Sequence, residues 1–215
     1  MNTKTKKYVT LAMLCAVAYV VMLVGRIPIV MFLSYDPKDV IIAISGFIFG
    51  PLSVVFISAV VSVIEMVTVS STGPIGCIMN IISTCAFACT AAIIYKKKHT
   101  MSGAVMGLIA GTIAMTGLML LWNYFLTPIY EGLPRQAIAD MLVPIFLPFN
   151  LLKAGLNTAI TLLLYKPIVM ALRKTKLLPP SEDNTKKKNR IGLLLVSLLL
   201  LASCVLLVLI WKGII

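Results

Sequence analysis

Pro148-Phe149-Asn150-Leu151-Leu152-Lys153 opens an apolar run that continues through Ala171 with Lys166 as its only other charge. Asn150 and Lys153 are three residues apart, so on a helix they project together from successive turns. Lys166 lies near the far end, where a long side chain can snorkel to the headgroups. Lys153 has no such exit if the helix spans a bilayer. An ammonium at membrane depth costs a few kcal/mol by insertion scales and more by simulation, so such residues usually face a cavity or a partner. The face of Asn150 and Lys153 is therefore the first candidate for a binding site.

Composition extends that reading to the whole chain. Of the 215 residues, 60% are hydrophobic and 12% charged, and the mean hydropathy is +1.03. A soluble globule of this length lacks the interior to hide so much apolar surface. The apolar segments are continuous for about 20 residues at a time, whereas outer-membrane barrel strands alternate. The fold class is an all-α polytopic membrane protein. A net charge of +12 would point to nucleic acid in a soluble protein. Here the charge sits in short clusters between apolar runs, which is a topology signal, and no nucleic-acid partner is implied.

In chain order, Lys4, Lys6 and Lys7 precede a first span at about residues 8–24. It resembles a signal peptide with a conceivable cleavage site at Ala16-Val17-Ala18, but the apolar run continues past that site, and the segment reads as an uncleaved helix. Residues 25–38 read as a loop punctuated by Pro28 and Pro37. Residues 39–49 are apolar but too short for a perpendicular crossing unless tilted, broken or extended. Further spans are expected at 52–69, 77–95 and 102–124. The last of these carries Gly103, Gly107 and Gly111, a stripe that lets another helix approach closely. A polar connection at 126–147 contains a short surface helix at 135–143, and the opening run forms the span at 148–172. The chain thus divides into a membrane domain (1–172), a basic linker (173–190) and an extra C-terminal span (191–215).

With the N-terminus inside, the cytoplasmic segments collect Lys4, Lys6, Lys7, Lys96, Lys97, Lys98, Arg173, Lys174, Lys176, Lys186, Lys187, Lys188 and Arg190. Only Arg26, Lys38, Arg135 and Lys212 fall outside. That asymmetry sets a cytoplasmic N-terminus and an extracellular C-terminus, and both Pro-containing loops face the exterior. Asn80, Asn123, Thr127, Asn150 and Lys153 then converge on the outer half of the membrane. Amide and ammonium donors there, beside Trp122, Tyr124, Tyr130 and Phe149, suit a flat heteroaromatic ligand with carbonyl and ring-nitrogen acceptors. The competing reading of each Asn is interhelical hydrogen bonding without a ligand. A purely structural role leaves Lys153 unexplained.

Four motifs in order carry a resemblance: Tyr35-Asp36-Pro37-Lys38-Asp39-Val40, Gly46-Phe47-Ile48-Phe49-Gly50-Pro51, Trp122-Asn123-Tyr124-Phe125-Leu126-Thr127-Pro128-Ile129-Tyr130 and Pro148-Phe149-Asn150-Leu151-Leu152-Lys153. Together, over about residues 8–172, the chain resembles the riboflavin-specific substrate-binding (S) subunits of energy-coupling-factor (ECF) transporters. The resemblance implies a six-helix S-component bundle, here with an additional C-terminal transmembrane helix. It implies a first loop that lids the pocket, with Tyr35 closing above, and flavin contacts from Asn123, Asn150 and Lys153, joined by Thr127 and by Asn80 on its depth. Ala12 and Ala16 match the small-residue face on which such subunits dock on a transmembrane coupling protein that works with two ATPase subunits. The expected setting is the plasma membrane of a bacterium, with riboflavin as transported ligand and no cofactor.

No Gly-x-x-x-x-Gly-Lys-Ser/Thr loop occurs in the sequence, so any ATP drive comes from partners. His99 lies in a basic turn, and Cys15, Cys77, Cys85, Cys89 and Cys204 lie in apolar runs without metal-ligand neighbours, which implies neither catalysis nor a metal. Glu65, an acid in an apolar span, is expected to pair with a loop cation or, alternatively, to carry protons. The rival readings are an S component for another vitamin or for a flavin derivative such as FMN, and an integral-membrane enzyme. The enzyme reading needs paired carboxylates or a His cluster at one depth, and the acids here are scattered along the sequence.

Overall fold

Helices make up most of the computed structural model, which describes residues 3–31, 33–70, 72–177 and 190–211. α1 (Thr3–Gly25) leads into an antiparallel hairpin, β1 (Ile27–Val30) with β2 (Leu33–Tyr35). Then come α2 (Lys38–Phe49), α3 (Pro51–Thr68), α4 (Gly73–Lys97) and α5 (Met101–Glu131). A short α6 (Arg135–Met141) and a π-helical turn (Leu142–Phe146) feed α7 (Leu147–Lys174), and α8 (Arg190–Trp211) follows. Among the described residues, six helical stretches are long and apolar enough to cross a membrane: Lys4–Gly25, Pro51–Thr68, Gly73–Lys97, Met101–Glu131, Arg135–Lys174 and Leu194–Trp211.

The remaining long element, α2, is only 12 residues long, short for a crossing. Yet it carries the chain from the cleft end of the bundle, where Lys38 meets Glu65, to the opposite end, where Phe47 meets Tyr95. It buries Lys38 to Phe47 among α1, α3, α4 and α7. Gly50, at φ +91°, turns the chain from α2 into α3, a left-handed backbone that a side chain would strain, and Pro51 starts α3 where its missing N–H is not needed. An interior helix between two spans brings its N-terminal charges, Lys38 and Asp39, into the centre of the bundle.

Three expectations about boundaries are corrected. The loop at 25–38 is a hairpin in register Ile27↔Tyr35 and Pro28↔Ser34, bulged before Val30↔Leu33. Strands of four and three residues with a proline in one of them carry too little periodicity to be read in advance. The span at 102–124 runs on to Glu131, because Pro128, one turn from the end, removes only one ladder bond. Gly132, at φ +66°, then stops the helix in a left-handed cap. Of the linker, Arg173 and Lys174 are the last turn of α7. Positions 178–189, which include Ser181, Lys186, Lys187 and Lys188, and positions 212–215, which include Lys212, lie outside the described residues.

Two buried apolar clusters hold the bundle. One joins α1 to α5 around Ile42, Val54, Phe87 and Leu108. Within it the glycine stripe of α5 meets α4: a Cβ on Gly107 would stand 2.7 Å from the Ala91 carbonyl oxygen, and one on Gly111 would collide with that of Phe87. In lipid, where apolar groups gain nothing by leaving the solvent, such close packing is what associates helices. The second cluster joins the hairpin, α6 and α7 through Leu33, Tyr35, Phe146 and Phe149, with Cys204 of α8. The extra helix therefore packs on α7, where a Cβ on Gly155 would stand 3.1 Å from Cys204 Sγ.

Candidate functional site

Lys153 is not alone. Its Nζ lies 3.6 Å from Asp39 Oδ2, and both residues are buried. Asp39 is thus a partner of the kind a cation at membrane depth requires, and it gives Lys153 a structural role that the sequence left unexplained. Asp39 occupies the first turn of α2, where the helix dipole favours a carboxylate. It also accepts hydrogen bonds from Thr84 Oγ1 at 2.6 Å and Asn157 Nδ2 at 3.2 Å. A buried ion pair persists when its remaining lone pairs are satisfied, and α4 and α7 supply that satisfaction here.

A second charge group adjoins it. Glu65 of α3, 1% exposed, binds Lys38 directly, accepts from Arg26 Nη1 at 3.3 Å, and accepts from Asn80 Nδ2 at 3.2 Å on both oxygens. The expected pairing of Glu65 with a loop cation is what the geometry contains. Asp36 stands 3.6 Å from Arg26 Nε and 4.0 Å from Lys38 Nζ. Three carboxylates (Asp36, Asp39, Glu65) thus face three cations (Arg26, Lys38, Lys153) in an electroneutral network that ties the hairpin and α2 to α3 and α7.

Beside this network opens a cleft that, mouth included, encloses about 530 Å³ of empty space. Asn80, Asn123, Asn150 and Lys153 all line it, together with Asp36 and Phe149. Asn123 donates to the Met119 carbonyl at 2.7 Å and Asn150 to that of Phe146 at 2.8 Å, which orients each amide on its own helix. Thr127, fully buried, donates to Asn123 Oδ1 at 2.9 Å. It supports Asn123 from behind and does not line the cleft. Tyr35 likewise lies in the apolar cluster with Phe149 rather than on the cleft wall. Burial, then the charges of Asp39 and Asp36, push its phenol well above the ordinary range, so the hydroxyl stays protonated. Ala12 and Ala16 are exposed on α1.

Asp39, Asn157, Arg26, Asp36 and Lys38 were missed as site residues. Asn157 had a signal, since it lies four residues after Lys153 on the same helix face. Arg26, Asp36 and Lys38 lie in the stretch that reads as an external loop, and Asp39 opens the short apolar segment after it. What the arrangement can do is binding: donors and acceptors are held in fixed orientation around a cleft with an aromatic wall.

Residues 6–165 match the sequence model of the family described as the ECF transporter substrate-specific component. The riboflavin transporter FmnP of Bacillus subtilis (strain 168) is 32% identical over 175 residues, 75% of this chain and 91% of that protein. The riboflavin transporter RibU of Staphylococcus aureus (strain TCH60) is 31% identical over 180 residues, 80% and 94% of the two chains. RibU of Streptococcus thermophilus (strain ATCC BAA-250 / LMG 18311) is 27% identical over 184 residues, 80% of this chain and 87% of that protein. The solved S component of a bacterial ECF transporter superposes with a TM-score of 0.68 at 28% identity, covering 79% of this chain and 99% of that one.

Proposed function

We propose a function from the premise that this chain belongs to the substrate-specific components of ECF transporters: it is the membrane subunit that binds riboflavin for uptake. It is a transporter component and not an enzyme. The observation that carries the site reading is the convergence of Asn80, Asn123, Asn150 and Lys153 on one cleft. An isoalloxazine ring offers carbonyl and ring-nitrogen acceptors to such amide and ammonium donors, and Phe149 offers a flat apolar contact.

The delivery step belongs to partners. With no phosphate loop in the sequence, ATP hydrolysis falls to two ATPase subunits, coupled through a transmembrane protein that docks on the exposed Ala12 and Ala16 face of α1. We place the N-terminus in the cytoplasm of a bacterium, with the cleft open to the exterior, because Lys4, Lys6, Lys7, Lys96, Lys97, Lys98, Arg173 and Lys174 lie at the far ends of their helices from the cleft residues. Reporters fused after Lys98 and after Gly132 test this, and the first should be cytoplasmic and the second external. For the function itself, detergent-solubilised protein should quench riboflavin fluorescence stoichiometrically. Absence of quenching in folded protein refutes the riboflavin reading.

A further inference from the structure

Asp36 differs from the other two carboxylates of the network. Asp39 and Glu65 each accept hydrogen bonds from neighbouring side chains, while Asp36 accepts none among the described residues. It is 3% exposed and lines the cleft that holds Asn150 and Lys153. Its Oδ1 is buried with Arg26 Nε at 3.6 Å, and its Oδ2 is 4.0 Å from Lys38 Nζ, both beyond hydrogen-bond length. A buried carboxylate oxygen without a donor is costly, and Asp36 belongs to the lining of a cleft from which a ligand can bring one. Glu65 contacts both Arg26 and Lys38, so Asp36 completes the charge balance of these two cations while keeping an oxygen without a hydrogen-bond donor.

We infer that Asp36 is the polyol-binding residue of this cleft, its carboxylate accepting a hydrogen bond from a hydroxyl of the ligand's ribityl chain. The inference rests on the riboflavin reading and adds the half of the ligand that reading left unassigned. The ring presents mainly acceptors, which the amides and Lys153 serve with donors. The hydroxyls of a sugar-alcohol chain are donors as well, and an ionised carboxylate only accepts. Among the cleft-lining residues Asp36 is the carboxylate.

The test compares two ligands on one protein. Riboflavin and lumiflavin share the ring, and lumiflavin carries a methyl group in place of the ribityl chain. Both are titrated by flavin fluorescence against the full-length wild type, Asp36→Ala and Asp36→Asn. Asp36→Ala should weaken riboflavin about ten- to a hundred-fold, the range for a hydrogen bond to a charged group, and leave lumiflavin affinity unchanged. Asp36→Asn, which keeps a neutral acceptor, should lose less. Lumiflavin binding doubles as proof of folding. Equal losses for the two ligands would mean that Asp36 shapes the cleft or meets the ring, and no loss for either would mean that it meets nothing; both overturn the inference. A folded wild type that binds neither flavin refutes the riboflavin reading, and the Asp36 assignment falls with it.

Discussion

The α4–α5 seam and the cleft are built from opposite materials. Along the seam, Gly107 and Gly111 press against the backbone of Ala91 and Phe87, with no charge involved, and volume is what matters. Around the cleft, Asp36, Asp39, Glu65, Arg26, Lys38 and Lys153 come from the hairpin, α2, α3 and α7, and charge balance is what matters. The seam should tolerate no added side chain. The cleft's buried pair, Asp39 with Lys153, should tolerate neutral replacement of both partners but not removal of one, because an uncompensated buried charge costs more than the pair is worth.

The largest effect is expected at the cleft. Asp39→Ala leaves Lys153 buried without its counter-charge and Thr84 and Asn157 without their acceptor, at a cost of about 3–5 kcal/mol, read as a fall in the thermal midpoint of detergent-solubilised protein. Next comes the seam. Gly111→Leu overpacks two helix backbones and should cost about 1–3 kcal/mol, while protein that still folds keeps near-normal flavin affinity. If that variant lost binding at unchanged stability, the separation of seam from cleft would not hold. Smallest, for the isolated subunit, is Ala12→Leu with Ala16→Leu. Both alanines are exposed on α1, so stability and flavin binding should stay at wild-type level while riboflavin uptake by cells is abolished. Loss of binding in the purified double variant would move these residues from the docking face into the fold.

The two regions were also unequally legible. The seam was written in the sequence, since three glycines at four-residue spacing announce a close helix contact without naming its partner. The spans, the short helix starting at Arg135 and the shared face of Asn150 and Lys153 were legible for the same reason, as local periodicity. The cleft's charge balance was not. Lys153 and Asp39 meet only because α2 is an interior helix between two spans, and nothing local says that an 11-residue apolar stretch after a proline-rich loop plunges into the core. Asp36, Lys38 and Arg26 read as external loop charges because the hairpin that gathers them, and brings Arg26 and Lys38 to Glu65, has strands of four and three residues. The missing information was long-range in every one of these cases.

The pairing with Asp39 also changes how Lys153 must be tested. Lys153→Met alone strands the Asp39 carboxylate, so lost flavin binding in that variant would not separate a ligand contact from a damaged fold. The double variant Lys153→Met/Asp39→Asn removes both charges and keeps similar volumes, so its stability should recover to near that of wild type. Measured by flavin fluorescence titration beside thermal unfolding, this protein should remain folded yet bind riboflavin about 1.5–3 kcal/mol more weakly, because the ammonium that donates to the ligand is gone. Wild-type affinity in the folded double variant would contradict the account, and would make Lys153 no more than the counter-ion of Asp39.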